Sequence, residues 1–333
     1  MVHVGVLGAG FMGGTHVRAL AKIPGATVVG VSSQSASKAA ALAQEVGAEP
    51  FDDPMALIND PRVEAVSITL PSNLHKQYAV AALNAGKHVL VEKPMGLSVA
   101  ECDEMIEAAR QAGRLLMVAM VLRHWPEYVA LARVVRSGEL GKPLSATAFR
   151  LCTAPAWSPW FSNPELTGGE VLDLHIHDLD LLNWLFGTPT RLFSRGQRGA
   201  HGGWDAALTV LDYNGVACFA EGNAMMPEGY PFTMALRVLC EKGVVEYTLR
   251  AGGEQVDSID AGANSLLIYE PGAAPRPVEH EGGDGYYNEL AAFVESVRSG
   301  QPPEQGAAEQ GRLAVQTALA ARQSIESGTA VAL

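Results

Sequence analysis

A short glycine string constrains this chain more than any other feature. Gly8-Ala9-Gly10-Phe11-Met12-Gly13 follows the β-branched run Val2–Leu7 and opens a helical stretch over residues 12–21. A G-x-G-x-x-G in that strand–turn–helix setting is a phosphate loop. Gly8 permits the tight turn, Gly10 lets backbone approach a pyrophosphate, and Gly13 lets helix and strand pack closely. The helix start then offers N–H groups and the positive end of its dipole to the anion, which places Phe11 and Met12 beside it. The reading is a βαβ unit that binds a dinucleotide.

The following residues extend this unit. Apolar runs over residues 27–31, 65–70, 88–91 and 115–120 read as buried strands, with helical stretches over 35–45, 74–85 and 99–112 between them. Ser98 and Glu101 form a capping box at the start of the last helix. Alternating buried strands and helices predict an α/β fold with a doubly wound parallel sheet. The pattern changes near residue 122. Helices are expected over 127–137 and 169–186. A β-rich region follows, in which Asn214-Gly215 marks a tight hairpin and Lys242-Gly243 marks another. Residues 287–298 and 311–327 return to helical spacing, while 252–262 and 271–285 read as surface loops. The expected division is a dinucleotide-binding domain over 1–121 and a substrate-binding and oligomerisation domain over 122–333, the second built on a mostly antiparallel open sheet.

Composition excludes some partners. The 333 residues carry a formal charge of -12 with no basic block, which argues against duplex nucleic acid. No apolar run reaches the length that spans a bilayer, so no membrane partner is expected. The amino terminus lacks the pattern of a secretory leader. The four cysteines show no C-x-x-C spacing and read as buried thiols in a reducing compartment, so the expected location is the cytoplasm.

Three clusters bear on chemistry. The end of the second strand is where a carboxylate would bind a ribose 2′-OH and repel a 2′-phosphate. Here it reads Ser32-Ser33-Gln34, with Lys38 one turn later. The expectation is a site for NADP or NAD that leans to NADP. Next, Glu92-Lys93-Pro94 ends the strand over 88–91, at the sheet edge where ligands of open α/β sheets bind. Two readings stand for Lys93: a solvated surface lysine, or an ammonium that Pro94, by restraining the residue before it, holds where it can stabilise a developing alkoxide. Finally, Asp173, His177 and Asp180 fall at i, i+4 and i+7 on an apolar helix and share one face. Three readings stand here: a histidine base oriented by a carboxylate, a satisfied structural histidine, or a metal site from Asp173, His175 and His177. The helical twist opposes the last, because residues two apart point about 200° apart.

Together these residues resemble one family. The glycine turn, Thr69-Leu70-Pro71-Ser72-Asn73-Leu74-His75, Glu92-Lys93-Pro94, Arg123-His124-Trp125-Pro126, and Gly168-Gly169 leading to Asp173 and His177-Asp178-Leu179-Asp180 occur in order along the whole chain. The sequence is similar to the glucose–fructose oxidoreductase / inositol dehydrogenase / rhizopine-catabolism family. The resemblance implies a Rossmann domain followed by an α/β domain. It implies hydride transfer between a nicotinamide cofactor and a carbinol or carbonyl carbon of a sugar, inositol or related polyol. Lys93, Asp173 and His177 would be catalytic and contact substrate, joined by Arg123 and Trp125. Thr69, Leu70, Pro71, Asn73, His75 and Glu92 would lie near the cofactor, and no metal is required. His175 and Asp178 would be structural, and Trp157, Trp160 and Tyr230 could stack on a sugar ring. Many relatives carry an acidic residue at Ser33, so simple NAD specificity is in doubt. Relatives often pair through the open sheet, giving a homodimer or homotetramer. Two alternatives share the fold: a cofactor-sensing regulator without turnover, and a dehydrogenase or reductase of a dihydrodiol or imine.

Overall fold

The computed structural model describes residues 1–154, 163–251 and 264–333. Two compact units emerge: Met1–Trp125 with Gly283–Arg312, and Pro126–Gly282 with Leu313–Leu333. A single cut at 121/122 therefore does not describe the chain. The first unit runs four residues further and recovers a segment from near the carboxyl terminus. The reason is apolar burial. Helix α10 (Gly285–Ser299) places Leu290, Phe293 and Val294 in one core cluster with Val4, Val6 and Val31 of the first sheet.

The first unit alternates strands and helices in order. These are β1 (Val2–Leu7), α1 (Phe11–Leu20), β2 (Ala26–Ser32), α2 (Ala36–Val46), β3 (Glu49–Phe51), α3 (Pro54–Ile58), β4 (Ala65–Ile68), α4 (His75–Asn84), β5 (His88–Glu92), α5 (Val99–Ala112) and β6 (Leu116–Ala119). The strands form one parallel sheet in the order β3-β2-β1-β4-β5-β6. All four residues of β4 and of β6 are buried, as expected of strands covered on both faces. The Ser98 hydroxyl caps α5 by accepting from the Glu101 N–H at 3.2 Å. The Glu101 carboxylate accepts from the Leu97 N–H at 2.7 Å, one residue before the position a standard box would use.

The second unit opens with α6 (Pro126–Ser137) and β7 (Pro143–Leu151). It continues through α7 (Pro164–Thr167), α8 (Glu170–Asp173) and α9 (Ile176–Phe186). Seven strands come next: β8 (Arg191–Arg198), β9 (Trp204–Tyr213), β10 (Val216–Asn223), β11 (Phe232–Cys240), β12 (Gly243–Ala251), β13 (Asn264–Tyr269) and β14 (Arg276–Pro277). After α10 the chain ends in α11 (Ala308–Ser327) and β15 (Val331–Ala332). The nine-stranded sheet has the order β14-β13-β12-β11-β7-β10-β9-β8-β15 and is antiparallel except between β7 and β10. Asn214 at φ 44° and Gly215 at φ 99° form the two-residue turn between β9 and β10. The β11–β12 turn is Glu241-Lys242, one residue before the expected position, because Gly243 pairs with Cys240.

One face of this sheet meets α6 and α9. The other bears Leu208, Val210, Leu239 and Tyr269, all exposed, with Val210 paired to Phe219. Among the described residues no helix is long and apolar enough to cross a membrane.

Candidate functional site

The glycine turn has the geometry its sequence requires. A side chain at Gly8, at φ 115°, would meet the Thr69 carbonyl oxygen at 2.5 Å. One at Gly13 would collide with the Gly8 carbonyl oxygen. One at Gly10 would enter open space, with no heavy atom within 4 Å. Two glycines thus permit packing and the third leaves room for a ligand beside the backbone. Gly10 is the N-cap of α1, no side chain caps the helix, and its first turn carries no acidic residue. That end fits a pyrophosphate, which would take the N–H groups that an uncapped helix leaves over. Phe11 is exposed and Met12 half-buried beside it. The Thr69 hydroxyl donates to the Leu7 carbonyl at 3.0 Å and so ties the loop after β4 to the glycine turn.

At the end of β2, Ser32 is buried and its hydroxyl has no hydrogen-bond partner. The Ser33 hydroxyl accepts from the Ser35 N–H, while Gln34 and Lys38 are exposed. The loop after β4 keeps Leu70 and Pro71 half-buried and Asn73 exposed. His75 turns inward instead. It is 1% exposed, with Nδ1 2.8 Å from the Pro94 carbonyl oxygen and Nε2 2.8 Å from that of Leu70. Burial lowers its pKa more than the two carbonyl contacts raise it. A neutral ring donates to one of the two, so His75 ties loops together and presents no free nitrogen to a cofactor.

Lys93 leaves the carboxyl end of β5, half-buried, and its N–H donates to the Glu92 carboxylate at 3.1 Å. The other Glu92 oxygen lies 3.1 Å from His16 Nε2, and His16 Nδ1 is 2.7 Å from the Ser67 hydroxyl. Burial pushes the Glu92 carboxyl up. The His16 hydrogen bond and the Lys93 charge outweigh it and leave Glu92 below the ordinary carboxylate range. With Glu92 ionised, His16 Nε2 is a donor. His16 and Ser67 are supporting residues that sequence reasoning missed; a histidine on the apolar face of α1 was the available signal. Glu289 on α10 is also buried here, with neither oxygen hydrogen-bonded. Burial and then the Glu92 charge raise its pKa well above the usual value.

Arg123 was expected to face substrate. The structure buries it, with Nη1 3.3 Å from Gln305 Oε1. Trp125 is half-buried, and Gly285 is flush against its ring: a Cβ there would lie 2.8 Å from Trp125 Cε3. Tyr230 faces the Arg250 guanidinium. Trp157 and Trp160 lie outside the described residues.

In the second unit the expected continuous helix over 169–186 is interrupted. The His175 N–H bonds back five residues to the Glu170 carbonyl at 2.8 Å, and the His177 N–H bonds back only three, to Leu174. This wide turn followed by a tight one separates α8 from α9. Asp173 therefore ends α8 and His177 lies in the first turn of α9, both half-buried, whereas Asp180, one turn further along α9, is buried. The three residues thus do not lie on one continuous helix, as their i, i+4, i+7 spacing had implied. His175 is buried, 2.8 Å from the Thr209 hydroxyl, and burial pushes its pKa down to about 3. Asp178 forms a buried two-point pair with Arg150 at 3.0 and 3.2 Å. Both have the structural surroundings expected of them. Among the described residues no group of three or more His, Cys, Asp or Glu side chains is placed to hold a metal.

A ligand-ready glycine turn at the carboxyl edge of a parallel sheet in this strand order defines a dinucleotide-binding protein of the Rossmann class. The sequence model of the GFO/IDH/MocA oxidoreductase family, described by its NAD-binding Rossmann fold, matches residues 2–120, and that of the family's C-terminal domain matches 128–246. The myo-inositol 2-dehydrogenase of Thermotoga maritima is 29% identical, covering 100% of this chain and 98% of that enzyme. The scyllo-inositol 2-dehydrogenase (NAD(+)) of Bacillus subtilis is 30% identical over 91% of this chain and 88% of its own length. The structure of myo-inositol 2-dehydrogenase from Lactobacillus plantarum superposes with a TM-score of 0.83 at 23% identity, covering 100% of this chain and 99% of that one. The chain belongs to the GFO/IDH/MocA family of oxidoreductases and carries its NAD-binding Rossmann unit.

Proposed function

We propose that this oxidoreductase transfers a hydride between a nicotinamide cofactor and a CH–OH carbon of an inositol, sugar or related polyol. One observation carries the reading. Lys93 leaves the same sheet edge that bears the glycine turn, and its main chain is held on both sides, by Glu92 at its own N–H and by His75 at the Pro94 carbonyl. When bound, the nicotinamide ring supplies the hydride acceptor. Lys93 donates a hydrogen bond to the reacting oxygen and stabilises its negative charge. His177 takes the hydroxyl proton as the C–H pair leaves, and Asp173 orients its ring. In reduction the same groups return the proton. The names of the inositol 2-dehydrogenases similar to this chain support the substrate class. The test is a panel of inositols, aldoses and alditols followed at 340 nm with each cofactor. Lys93→Met and His177→Asn are expected to lower kcat by at least a hundredfold with cofactor Kd little changed. Near-normal turnover in both variants removes these roles. Dinucleotide binding without turnover across the panel supports a sensor instead.

The site admits NADP as well as NAD and leans to NADP. No carboxylate stands among Ser32, Ser33 and Gln34, and α2 begins without a side-chain cap or an acidic residue in its first turn. A kcat/KM for NAD far above that for NADP refutes this lean. The second unit binds substrate and pairs with another copy, as a homodimer or homotetramer, through the sheet face carrying Leu208, Val210, Leu239 and Tyr269. Val210→Glu is expected to yield monomers by analytical ultracentrifugation, and an unchanged mass overturns the assignment. Four free thiols, three of them buried, support the cytoplasm as its location.

A further inference from the structure

The break between α8 and α9 lies between the two side chains assigned to proton transfer, and the inference rests on that assignment. The two helices are held differently. Helix α9 is anchored at several points. Asp178 pairs with Arg150 of β7, the Asn183 amide donates to Thr317 at 3.0 Å, and the Tyr213 hydroxyl donates to Asn183 Oδ1 at 2.8 Å. Helix α8 is one turn of four residues, too short to hold its own direction. The residue at the junction is His175.

His175 is built into the sheet beneath it. Its Nε2 lies 2.8 Å from the Thr209 hydroxyl of β9, which accepts from the Ser194 hydroxyl of β8 at 2.9 Å. The Ser194 N–H in turn donates to Ser324 of α11 at 2.9 Å. With Thr209 accepting from Ser194, its own proton is available to the ring nitrogen. On the other side the ring lies directly on Gly222 of β10. A Cβ on that glycine would sit 2.7 Å from both Cβ and Nδ1 of His175 and 2.9 Å from its Cα. The site thus has a hydroxyl on one flank and, on the other, a glycine whose missing side chain makes room for the ring.

We propose that His175 is a positioning residue, a strut between Thr209 and Gly222 that sets the angle at which the Asp173 turn meets the His177 helix. It touches no substrate. It acts by keeping Asp173 and His177 in register, and a misplacement of about 1 Å at a reacting group can cost on the order of a hundredfold in rate.

Two substitutions at Thr209 separate this role from packing. Thr209→Val keeps the volume and removes the hydroxyl, whereas Thr209→Ser keeps the hydroxyl and removes a methyl. If the strut sets the register, Val lowers kcat at least tenfold on the fastest polyol of the panel, leaves the NAD Kd unchanged and moves the His177 titration midpoint in NMR of ¹³C-histidine-labelled protein. Ser then restores both. If Thr209 only fills space, Ser is the more damaging of the two, and that order overturns the proposal, as does a Val variant with wild-type kcat and wild-type His177 titration. The NMR comparison needs no substrate, so it decides the matter even where no polyol turns over. Wild-type turnover in His177→Asn would sink the catalytic assignment alone and leave the titration result standing.

Discussion

Gly10 and Gly13 are three residues apart and should fail in different ways. An alanine methyl at Gly13 collides with the Gly8 carbonyl, whereas at Gly10 it meets nothing in the protein. Gly13→Ala is expected to lower the melting temperature. Gly10→Ala should melt normally yet bind NAD at least tenfold more weakly, because its methyl occupies the ligand's space; calorimetry and titration of each variant check this. The geometry of the turn was legible in the sequence because the turn is local. Arg123 and His75 were not legible, since their surroundings are distant in sequence: Arg123 meets Gln305, and His75 meets Pro94 from across β5. Asp178, expected to be structural, also meets its partner from far along the chain. Removing its carboxylate in Asp178→Ala strands the Arg150 guanidinium in the core and should cost about 3–5 kcal/mol by urea denaturation.

Elements were legible where a local signal marked their ends. Asn214-Gly215 located the β9–β10 turn, and Gly215 at φ 99° holds a conformation that a side chain opposes. Gly215→Ala should therefore destabilise the protein by about 1–2 kcal/mol, measured by thermal unfolding. The interruption at Leu174-His175 has no such signal. Neither residue is glycine or proline, and the apolar spacing runs on across it, so periodicity alone predicts one helix where there are two. Strand β7 escaped for a related reason. Its central residues Ser145, Ala146, Thr147 and Ala148 are small, and hydropathy contrast between its two faces is weak even though alternate positions are buried.

For the whole molecule, buried imidazoles make part of the stability depend on pH, and His175 and His124 show the sense. Burial depresses His175 to about 3 and His124 to about 4, while an unfolded histidine titrates near pH 6.5. Below that value the unfolded chain binds protons that the native state refuses. Their contribution is complete at neutral pH and falls as pH drops, by up to about 1.4 kcal/mol per unit for each group, until the folded pKa is reached, while Glu289, whose carboxyl burial raises, contributes in the opposite sense. The gap in melting temperature between His175→Gln and the wild type should therefore move in favour of the variant as pH falls from 7 to 4.5. The same scale explains why the domain boundary was hidden from the sequence. Helical spacing over 287–298 announces a helix but not which sheet it covers. Leu290, Phe293 and Val294 complete the first core, and burying each is worth about 1.5–3 kcal/mol. Their sum rivals the net stability of a typical domain. A fragment of residues 1–125 should accordingly lack a cooperative melting transition by circular dichroism.

The recovery of α10 by the first unit also orders events during synthesis. The opening strands leave the ribosome early, but the wall that seals their core is encoded after residue 282. At roughly 5–20 residues per second, the nascent sheet waits on the order of ten seconds or more with an apolar flank uncovered. Chaperone dependence in the cell should therefore track elongation speed through the middle of the message, and slowing codons there should raise aggregation without altering the finished enzyme.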